Sequence, residues 1–185
     1  MTFKDLKKRV TLEITQQQSG LFERLRNKPF WIWNIEEHKQ QDIETNGDCC
    51  FNHIIGLPTK EGMEKAIFDY EKILYDSLLD NESYNAAFKY KHLWVKKVTG
   101  LVVTEFFLRL IVWLCLRNDD YQNNQMCIVT GPNIDVAIKL IKRMKALFEP
   151  KLHVTFDSKE TVLEINGCTI EAISIKPYRC IQSFG

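Results

Sequence analysis

The longest apolar stretch of the chain, residues 92–117, consists of two parts joined by a short turn. Residues 93–95 favour a β-strand, the turn contains Thr99 and Gly100, and the residues from about Thr104 onwards are almost wholly apolar. The pattern predicts a strand, a turn and a helix that is buried on most sides. Such an arrangement places free backbone N–H groups and a helix N-terminus around a phosphate, so the stretch is a candidate nucleotide loop.

Two further stretches have the apolar spacing of amphipathic helices. The first runs from about Lys60 to Leu79, with Glu71 among its solvated positions, and the second follows Asn133, whose side chain can cap it. The predicted core positions are Met63, Ile67, Tyr70, Leu74 and Leu78 in the first helix and Ile134, Ile138, Ile141, Met144 and Phe148 in the second.

Short apolar runs predict strands on both sides of the second helix. Residues 125–130 precede a Gly-Pro pair and are typical of a buried parallel strand. After the second helix the pattern changes to extended runs, at residues 152–156, 161–165 and 168–175. Asn166-Gly167 between the last two runs predicts a tight hairpin turn. The succession of strand, helix, strand and helix predicts an α/β fold with a mostly parallel sheet flanked by helices and a β-hairpin near 161–175.

The first part of the chain is predicted to be separate from this domain. Residues 1–58 are expected to form an N-terminal lead-in and an aromatic segment, and residues 59–185 the α/β domain. Phe30, Trp31 and Trp33 lie close together in sequence, and such aromatic groups usually anchor a segment onto a core. Stacking on nucleic-acid bases is the alternative.

Composition indicates a globular protein. Hydrophobic residues make up 45% of the 185 positions, which is enough for a sizeable core. The 25 basic and 24 acidic residues nearly balance, so no net field marks the chain as a nucleic-acid binder. Residues 139–145 hold four basic side chains that can touch DNA phosphates, although a solvated helix face is the commoner explanation. The most hydrophobic window is too short to span a bilayer, and with no apolar signal segment the expected location is cytoplasmic, without a membrane partner.

The cysteines favour a reducing compartment. They lie mostly inside apolar segments, without a CxxC pair or a Cys/His cluster at the usual metal spacing. They are therefore predicted to be buried, reduced thiols, with a redox or metal role for the adjacent pair Cys49-Cys50 as the alternative. The six positions are Cys49, Cys50, Cys115, Cys127, Cys168 and Cys180.

The candidate loop departs from the general phosphate-loop pattern G-x-x-x-x-G-K-[ST]. When Thr104 is aligned with the last position, Lys97 stands at the first glycine, Val102 at the second glycine and Val103 at the lysine. Three of the four fixed positions therefore differ from the pattern.

The segments CCFNHIIGLP, FDYEKILYDSL, KHLWVKKVTGLVVTEFFLRLIVWLCL and QMCIVTGPNIDVAIKLIKRMKALFE resemble the N-terminal ATPase region of terminase-like proteins, the large subunits of DNA-packaging motors. The resemblance covers residues 50–185. In that family a basic residue commonly replaces the first glycine of the loop, as Lys97 does here, whereas Val102 and Val103 depart from the family as well.

The resemblance implies a P-loop domain that binds ATP with Mg²⁺. Lys97, Thr99, Gly100 and Thr104 would line the phosphates, with the Thr104 hydroxyl on the metal. Tyr70-Glu71 stands where the family carries an aromatic-Gln pair that recognises adenine, although a core Tyr beside a solvated Glu is an equal alternative because an ionised carboxylate only accepts hydrogen bonds.

The resemblance also implies double-stranded DNA and other subunits of a packaging motor as partners, and a viral or proviral origin. No apolar strand ending in a carboxylate for Mg²⁺ follows Ser174, so we expect a fold that is incomplete at its C-terminus and an inactive or weak ATPase. The alternative is a non-catalytic DNA- or protein-interaction module that retains the P-loop fold.

Overall fold

The computed structural model describes residues 20–57, 68–78, 95–96, 103–117 and 123–175. The chain divides into two compact units, Met1–Asp120 and Tyr121–Gly185. The predicted domain boundary at residues 58 and 59 adjoins a stretch outside the described residues and stays a prediction. Among the described helices, none combines the length and the apolar character that a membrane-spanning helix needs.

Helices make up most of the described part of the first unit. They are α1 over residues 20–26, α2 Ile35–Thr45, α3 Phe51–Ile54, α4 Asp69–Leu78 and α5 Val103–Arg117. The predicted helix beginning near Thr104 is confirmed by α5. The first half of the helix predicted from Lys60 lies outside the described residues.

Phe30 lies at the centre of the core of this unit. Its ring is fully buried and contacts the rings of Tyr75, Phe106 and Trp113 at centroid distances of 5.7, 5.7 and 5.6 Å. Trp113 also donates its indole N–H to the Lys28 carbonyl at 2.9 Å. Aromatic pairs at these distances add to the free energy of apolar burial, so the prediction that the aromatic segment anchors onto a core is confirmed.

Helix α5 is buried on most sides, as predicted. Eleven of its 15 residues are buried, and they include two arginines. Arg117 places its guanidinium carbon 4.6 Å from the centre of the Trp113 ring, which is a cation–π contact. A helix that is apolar all round needs neighbours on most sides, which explains why the preceding segments of the unit pack against it.

The buried face of α4 differs from the prediction. Glu71 and Tyr75 are its buried residues, whereas Tyr70, Leu74 and Leu78 are half-buried and Ile73 is 67% exposed. Residues 71 and 75 lie on one face of the helix, and one of the two carries a carboxylate. The spacing of apolar residues could not predict that this face is the buried one. Glu71 is buried because an arginine of α5 binds it, as the next subsection describes.

The second unit is a small α/β unit. Its described elements are β1 Gln125–Thr130, α6 Asp135–Leu152, β2 Val162–Ile165 and β3 Cys168–Ser174. The strand order is β1-β3-β2, with β1 parallel to β3 and β2 antiparallel to it. The predicted α/β class is thus confirmed, with a mixed sheet of three described strands. Asn133 caps the first turn of α6 by accepting from Asp135 N at 2.8 Å, as predicted.

Two strand predictions are wrong: β1 is less buried than predicted, and residues 152–156 form no strand. Strand β1 exists, but Cys127 and Val129 are exposed, because β1 pairs with only one neighbour among the described strands and lies at their edge. The run at residues 152–156 forms no strand. Leu152 instead ends α6 as a fully buried core residue, and His153 terminates the helix in the left-handed conformation with φ 52°.

The strand predicted from residues 93–95 is likewise not found at Val95, the residue of that run that the structure describes. Val95 and Lys96 belong to no strand and are exposed; the other residues lie outside the described part. An apolar run forms a strand only when a neighbouring strand accepts its backbone hydrogen bonds, and these two residues have no such pairing.

The hairpin between β2 and β3 has the predicted turn. Asn166 and Gly167 have φ values of 49° and 75°, as a two-residue type I′ turn requires. The pairing of Ile165 with Cys168 closes the turn. Because alternate residues of β3 are buried, from Cys168 through Ile170 to Ala172, the turn fixes which face of the strand joins the core.

We predict that Gly167→Ala lowers the free energy of unfolding by about 1–2 kcal/mol, because an L-residue is strained at positive φ. Chemical denaturation monitored by circular dichroism measures the change. Gly131→Ala is the matched control, since a Cβ at Gly131 would meet no atom within 4 Å, and it should change the value by less than about 1 kcal/mol. Equal losses in the two variants would contradict the assigned turn.

Candidate functional site

The described part of the predicted nucleotide site is the beginning of α5. Thr104 is half-buried in the first turn of that helix, and Val103 is its first residue. Val103 is only 5% exposed, so the side chain at the position of the usual lysine packs into the protein. Lys97, Thr99 and Gly100 lie outside the described residues, and their predicted role stays a prediction.

Tyr70 and Glu71, the predicted adenine-binding pair, both lie among the described residues. Glu71 is neither solvated nor available to a nucleotide. The Glu71 side chain is 1% exposed and accepts from Arg109 Nη2 at 2.7 Å. It is therefore not a solvated residue, and its carboxylate is already engaged inside the protein. The Tyr70 ring stacks on Phe68 with centroids 5.4 Å apart and is half-buried.

A buried polar network surrounds this ion pair. Arg109 Nη1 donates to Asn52 Oδ1 at 3.1 Å, and Asn52 Nδ2 donates to the Phe30 carbonyl at 2.7 Å. The second Glu71 oxygen accepts from Phe68 N at 3.3 Å. The network joins α3, α4 and α5 to the aromatic segment. Since each of these hydrogen-bonding groups lies in the interior, pairing them removes a cost of about 1–3 kcal/mol per group.

Burial and charge act in opposite directions on the two ionisable groups. Burial raises the pKa of the Glu71 carboxyl, and the Arg109 charge opposes that rise. Burial lowers the pKa of the Arg109 guanidinium, and Glu71 opposes that fall. The carboxylate bonded to Arg109 comes from α4. Glu105, four residues before Arg109 in α5, accepts from Arg109 Nε through its backbone carbonyl at 3.4 Å.

A second cluster of polar side chains lies where α2 and α3 approach each other. One donor atom each from His38, Cys49 and His53 lies within 4.8 Å of the other two. Cys49 Sγ is 3.7 Å from His38 Nε2. Cys50 Sγ is 3.6 Å from Cys49 Sγ and 3.9 Å from His38 Nε2. Imidazole nitrogens and thiols together are a donor set that could hold a transition metal.

Asp42 borders this cluster. Its Oδ1 lies 3.0 Å from His53 Nε2, yet this buried oxygen has no hydrogen bond of normal geometry. Burial and the neighbouring His53 lower the pKa of His38, and burial raises the pKa of the Cys49 and Cys50 thiols. Near neutral pH these shifts favour a neutral imidazole at His38 and protonated thiols at Cys49 and Cys50.

The sequence-based view of the cysteines is partly confirmed. Cys49, Cys50, Cys115 and Cys168 are free and buried as predicted, whereas Cys127 is free but exposed because it lies on β1. The sequence has no Cys/His cluster at the usual metal spacing, and the structure brings His38, Cys49 and His53 together from separate segments. The sequence does hold two short spacings: His38 and Asp42 are four residues apart on one helix face, and His53 follows Cys50 by three residues. However, the separation of eleven residues between His38 and Cys49 matches no standard metal motif.

The basic residues of α6 have mainly local roles. Lys142 pairs with Glu160 at 2.6 Å, and Lys145 donates to the carbonyls of Asp157 and Lys159 at 2.5 Å each. Lys139 and Arg143 are exposed. A solvated helix face therefore explains the positions of these four basic side chains, and no nucleic acid is needed to explain them.

Comparisons with known proteins identify no family: no family model matches the chain, and neither curated proteins nor solved structures give a significant match.

We predict that Glu71→Gln lowers the free energy of unfolding by about 3–5 kcal/mol, because it leaves the Arg109 charge buried without its carboxylate. Urea denaturation measures the loss. Lys72→Gln is the matched control on the same helix, since it breaks the exposed Lys72–Asp76 pair, and it should cost less than about 1 kcal/mol.

The double variant Glu71→Leu with Arg109→Met should recover most of the stability lost in Glu71→Gln, because it removes both charges together. A loss in Glu71→Gln no larger than that in Lys72→Gln would show that the pair is not buried in solution.

Proposed function

We propose that the chain is a nucleotide-binding domain of the terminase-like type, which binds ATP with Mg²⁺ at the loop before α5 and hydrolyses it slowly or not at all. The observation that carries the proposal is the position at which α5 begins. The helix starts at Val103, directly after the candidate loop, and so puts the Thr104 hydroxyl in its first turn, where a threonine of a phosphate loop contacts Mg²⁺.

The burial of α5 supports the same proposal. A helix N-terminus binds phosphate through its free N–H groups and its dipole, and it does so best when the helix cannot shift. Helix α5 is fixed by apolar contacts along its length and by the hydrogen bonds of Arg109 to Glu71 and Asn52. Lys97, Thr99 and Gly100 would complete the phosphate contacts.

The second unit is compatible with this class of fold. Strand β1 is parallel to β3, and helix α6 and strand β2 lie between them in the chain. A helix in the connection between two parallel strands is a feature of α/β folds. Strand β3 lies between its two partners. We propose a P-loop fold, which is a narrower class than the mixed α/β class that the structure shows.

The burial of Val103 is the reason for proposing weak or absent hydrolysis. A phosphate-loop lysine reaches the β and γ phosphates, whereas the side chain at this position is apolar and packs inward. Loss of one charge-assisted contact costs about 1.5–3 kcal/mol. Because Glu71 is engaged with Arg109, we do not assign adenine recognition to it.

Double-stranded DNA and other subunits of a packaging motor are the partners that the resemblance adds to the proposal. The burial of Val103 equally favours a second candidate, an interaction module that keeps the fold but binds no nucleotide. Nucleotide-dependent stabilisation separates the two candidates.

We predict that ATP with Mg²⁺ raises the melting temperature of the purified chain. At about 100 times Kd, binding to the native state contributes about 2.7 kcal/mol, which corresponds to about 5–10 °C for a chain of this size. Differential scanning fluorimetry measures the shift. Thr104→Val should abolish most of it, whereas Thr155→Val, at an exposed position of the second unit, should leave it unchanged. No shift in the wild-type chain would favour the interaction module.

We predict phosphate release at close to the buffer rate when the chain is incubated with ATP and Mg²⁺, because the loop lysine is missing. A steady-state phosphate-release assay tests this. Robust turnover that Thr104→Ala abolishes would contradict the proposal of impaired hydrolysis while supporting nucleotide binding.

A further inference from the structure

The geometry of the His/Cys cluster points to a metal site, and we propose that His38, Cys49 and His53 bind one Zn²⁺ ion, with Cys50 as the fourth ligand. This site is separate from the proposed nucleotide site in residues and in chemistry. Two imidazoles and two thiolates are the donors that zinc prefers, whereas Mg²⁺ and Ca²⁺ take oxygen donors.

The distances already approach those of a coordinated ion. Bonds of about 2.3 Å to sulfur and about 2.0 Å to nitrogen, at a tetrahedral angle, place sulfur about 3.5 Å from nitrogen and about 3.8 Å from a second sulfur. The Cys49–His38, Cys50–His38 and Cys49–Cys50 atom pairs are 3.7, 3.9 and 3.6 Å apart. These three atoms therefore form one face of a nearly regular tetrahedron.

His53 is the candidate for the remaining vertex. One of its ring nitrogens lies within 4.8 Å of both Cys49 Sγ and a His38 ring nitrogen, so a closure of up to about 1.5 Å would bring it to coordination distance. The Asp42 oxygen 3.0 Å from His53 Nε2 is a positioning group. A carboxylate beside a metal-binding imidazole fixes the orientation of the ring and raises its basicity.

The packing of α2 supplies an independent argument. This helix of 11 residues has no buried residue, and Ile35 and Ile43 are 69% and 82% exposed. Apolar burial, which positions most helices in proteins, therefore contributes little to holding it. His38 and Asp42 are the residues of α2 that contact His53, and a metal bridging His38 to Cys49 and His53 would supply the missing attachment.

Two backbone hydrogen bonds and one ion pair hold the segments that carry the ligands in place before any ion binds. The α2 helix ends at Asn46 in the left-handed conformation, and Gly47 N donates back to Asp42 O at 2.9 Å. Arg24 Nε donates to Asp48 Oδ2 at 2.9 Å, which fixes the residue before Cys49. Phe51 N donates to the Pro29 carbonyl at 2.9 Å. The turn between His38 and the cysteines is thus built by the fold, so metal binding needs little rearrangement.

The test uses the full chain, reduced and stripped with a chelator, and titrated with Zn²⁺ or Co²⁺ alone. We expect one equivalent of metal per chain, a higher melting temperature with metal, and a thiolate-to-cobalt charge-transfer band with the visible intensity of four-coordinate cobalt. Absence of the band in the folded wild-type chain overturns the proposal, and this readout does not depend on any variant folding.

Matched variants test the ligand assignment. His38→Gln, Cys49→Ser and His53→Gln should each lower Zn²⁺ affinity by more than about 100-fold, whereas Asp42→Asn, which removes a positioning group, should lower it by about 10–100-fold and retain one equivalent. Cys127→Ser, at an exposed thiol, and His153→Asn, at an exposed histidine, should change neither affinity nor spectrum. If Cys127→Ser removes the band as Cys49→Ser does, the site is elsewhere and the proposal fails.

Cys50→Ser tests the fourth ligand. It should weaken the charge-transfer band and lower the affinity, because one thiolate is lost. An unchanged spectrum would overturn the assignment of Cys50. Circular dichroism of each metal-free variant separates loss of a ligand from loss of the fold.

Discussion

The ion pair between Glu71 and Arg109 is the constraint on which the first unit depends. Both side chains are almost completely buried, at 1% and 4% exposure, and isolated charges at such positions would cost several kcal/mol each. They can be accommodated only if α4 and α5 pack in one register, with Asn52 also in place. The pair joins α4 to α5 and, through Asn52, to α3. Phe30, whose ring lies 5.9 Å from the Arg109 guanidinium and whose carbonyl binds Asn52, belongs to the same arrangement.

Local patterns in the sequence predicted the elements better than their surroundings. The apolar run of α5, the Asn133 cap and the Asn-Gly turn follow from residues that are neighbours in sequence, and all three are confirmed. The buried face of α4 could not be predicted in this way. Glu71 looks like a surface residue until its partner is known, and that partner is 38 residues away. The exposure of β1 was missed for a related reason, because an apolar strand is buried only when other elements cover it.

The two candidate sites differ in how far the sequence could reveal them. A phosphate loop is continuous in sequence, so its candidate residues, ending at Thr104, could be carried over one by one from the resemblance to the terminase-like family. The His/Cys cluster is discontinuous: the fold of α2, its left-handed end at Asn46 and the turn after it bring His38 back to Cys49. Cys50 and His53 look like ordinary core and surface residues when considered singly. The short spacings within each segment can be seen in the sequence, but only the distances between donor atoms show that the segments form one cluster.

The indole hydrogen bond from Trp113 to Lys28 has a consequence for biosynthesis. It joins residues 85 positions apart, and the Phe30 ring depends on the same distant helix for two of its contacts. The aromatic segment leaves the ribosome long before α5 does, so its apolar rings cannot reach their native partners until that helix has been translated. Contacts between residues far apart in sequence form slowly, and until they form the nascent chain presents exposed aromatic surface of the kind that chaperones bind.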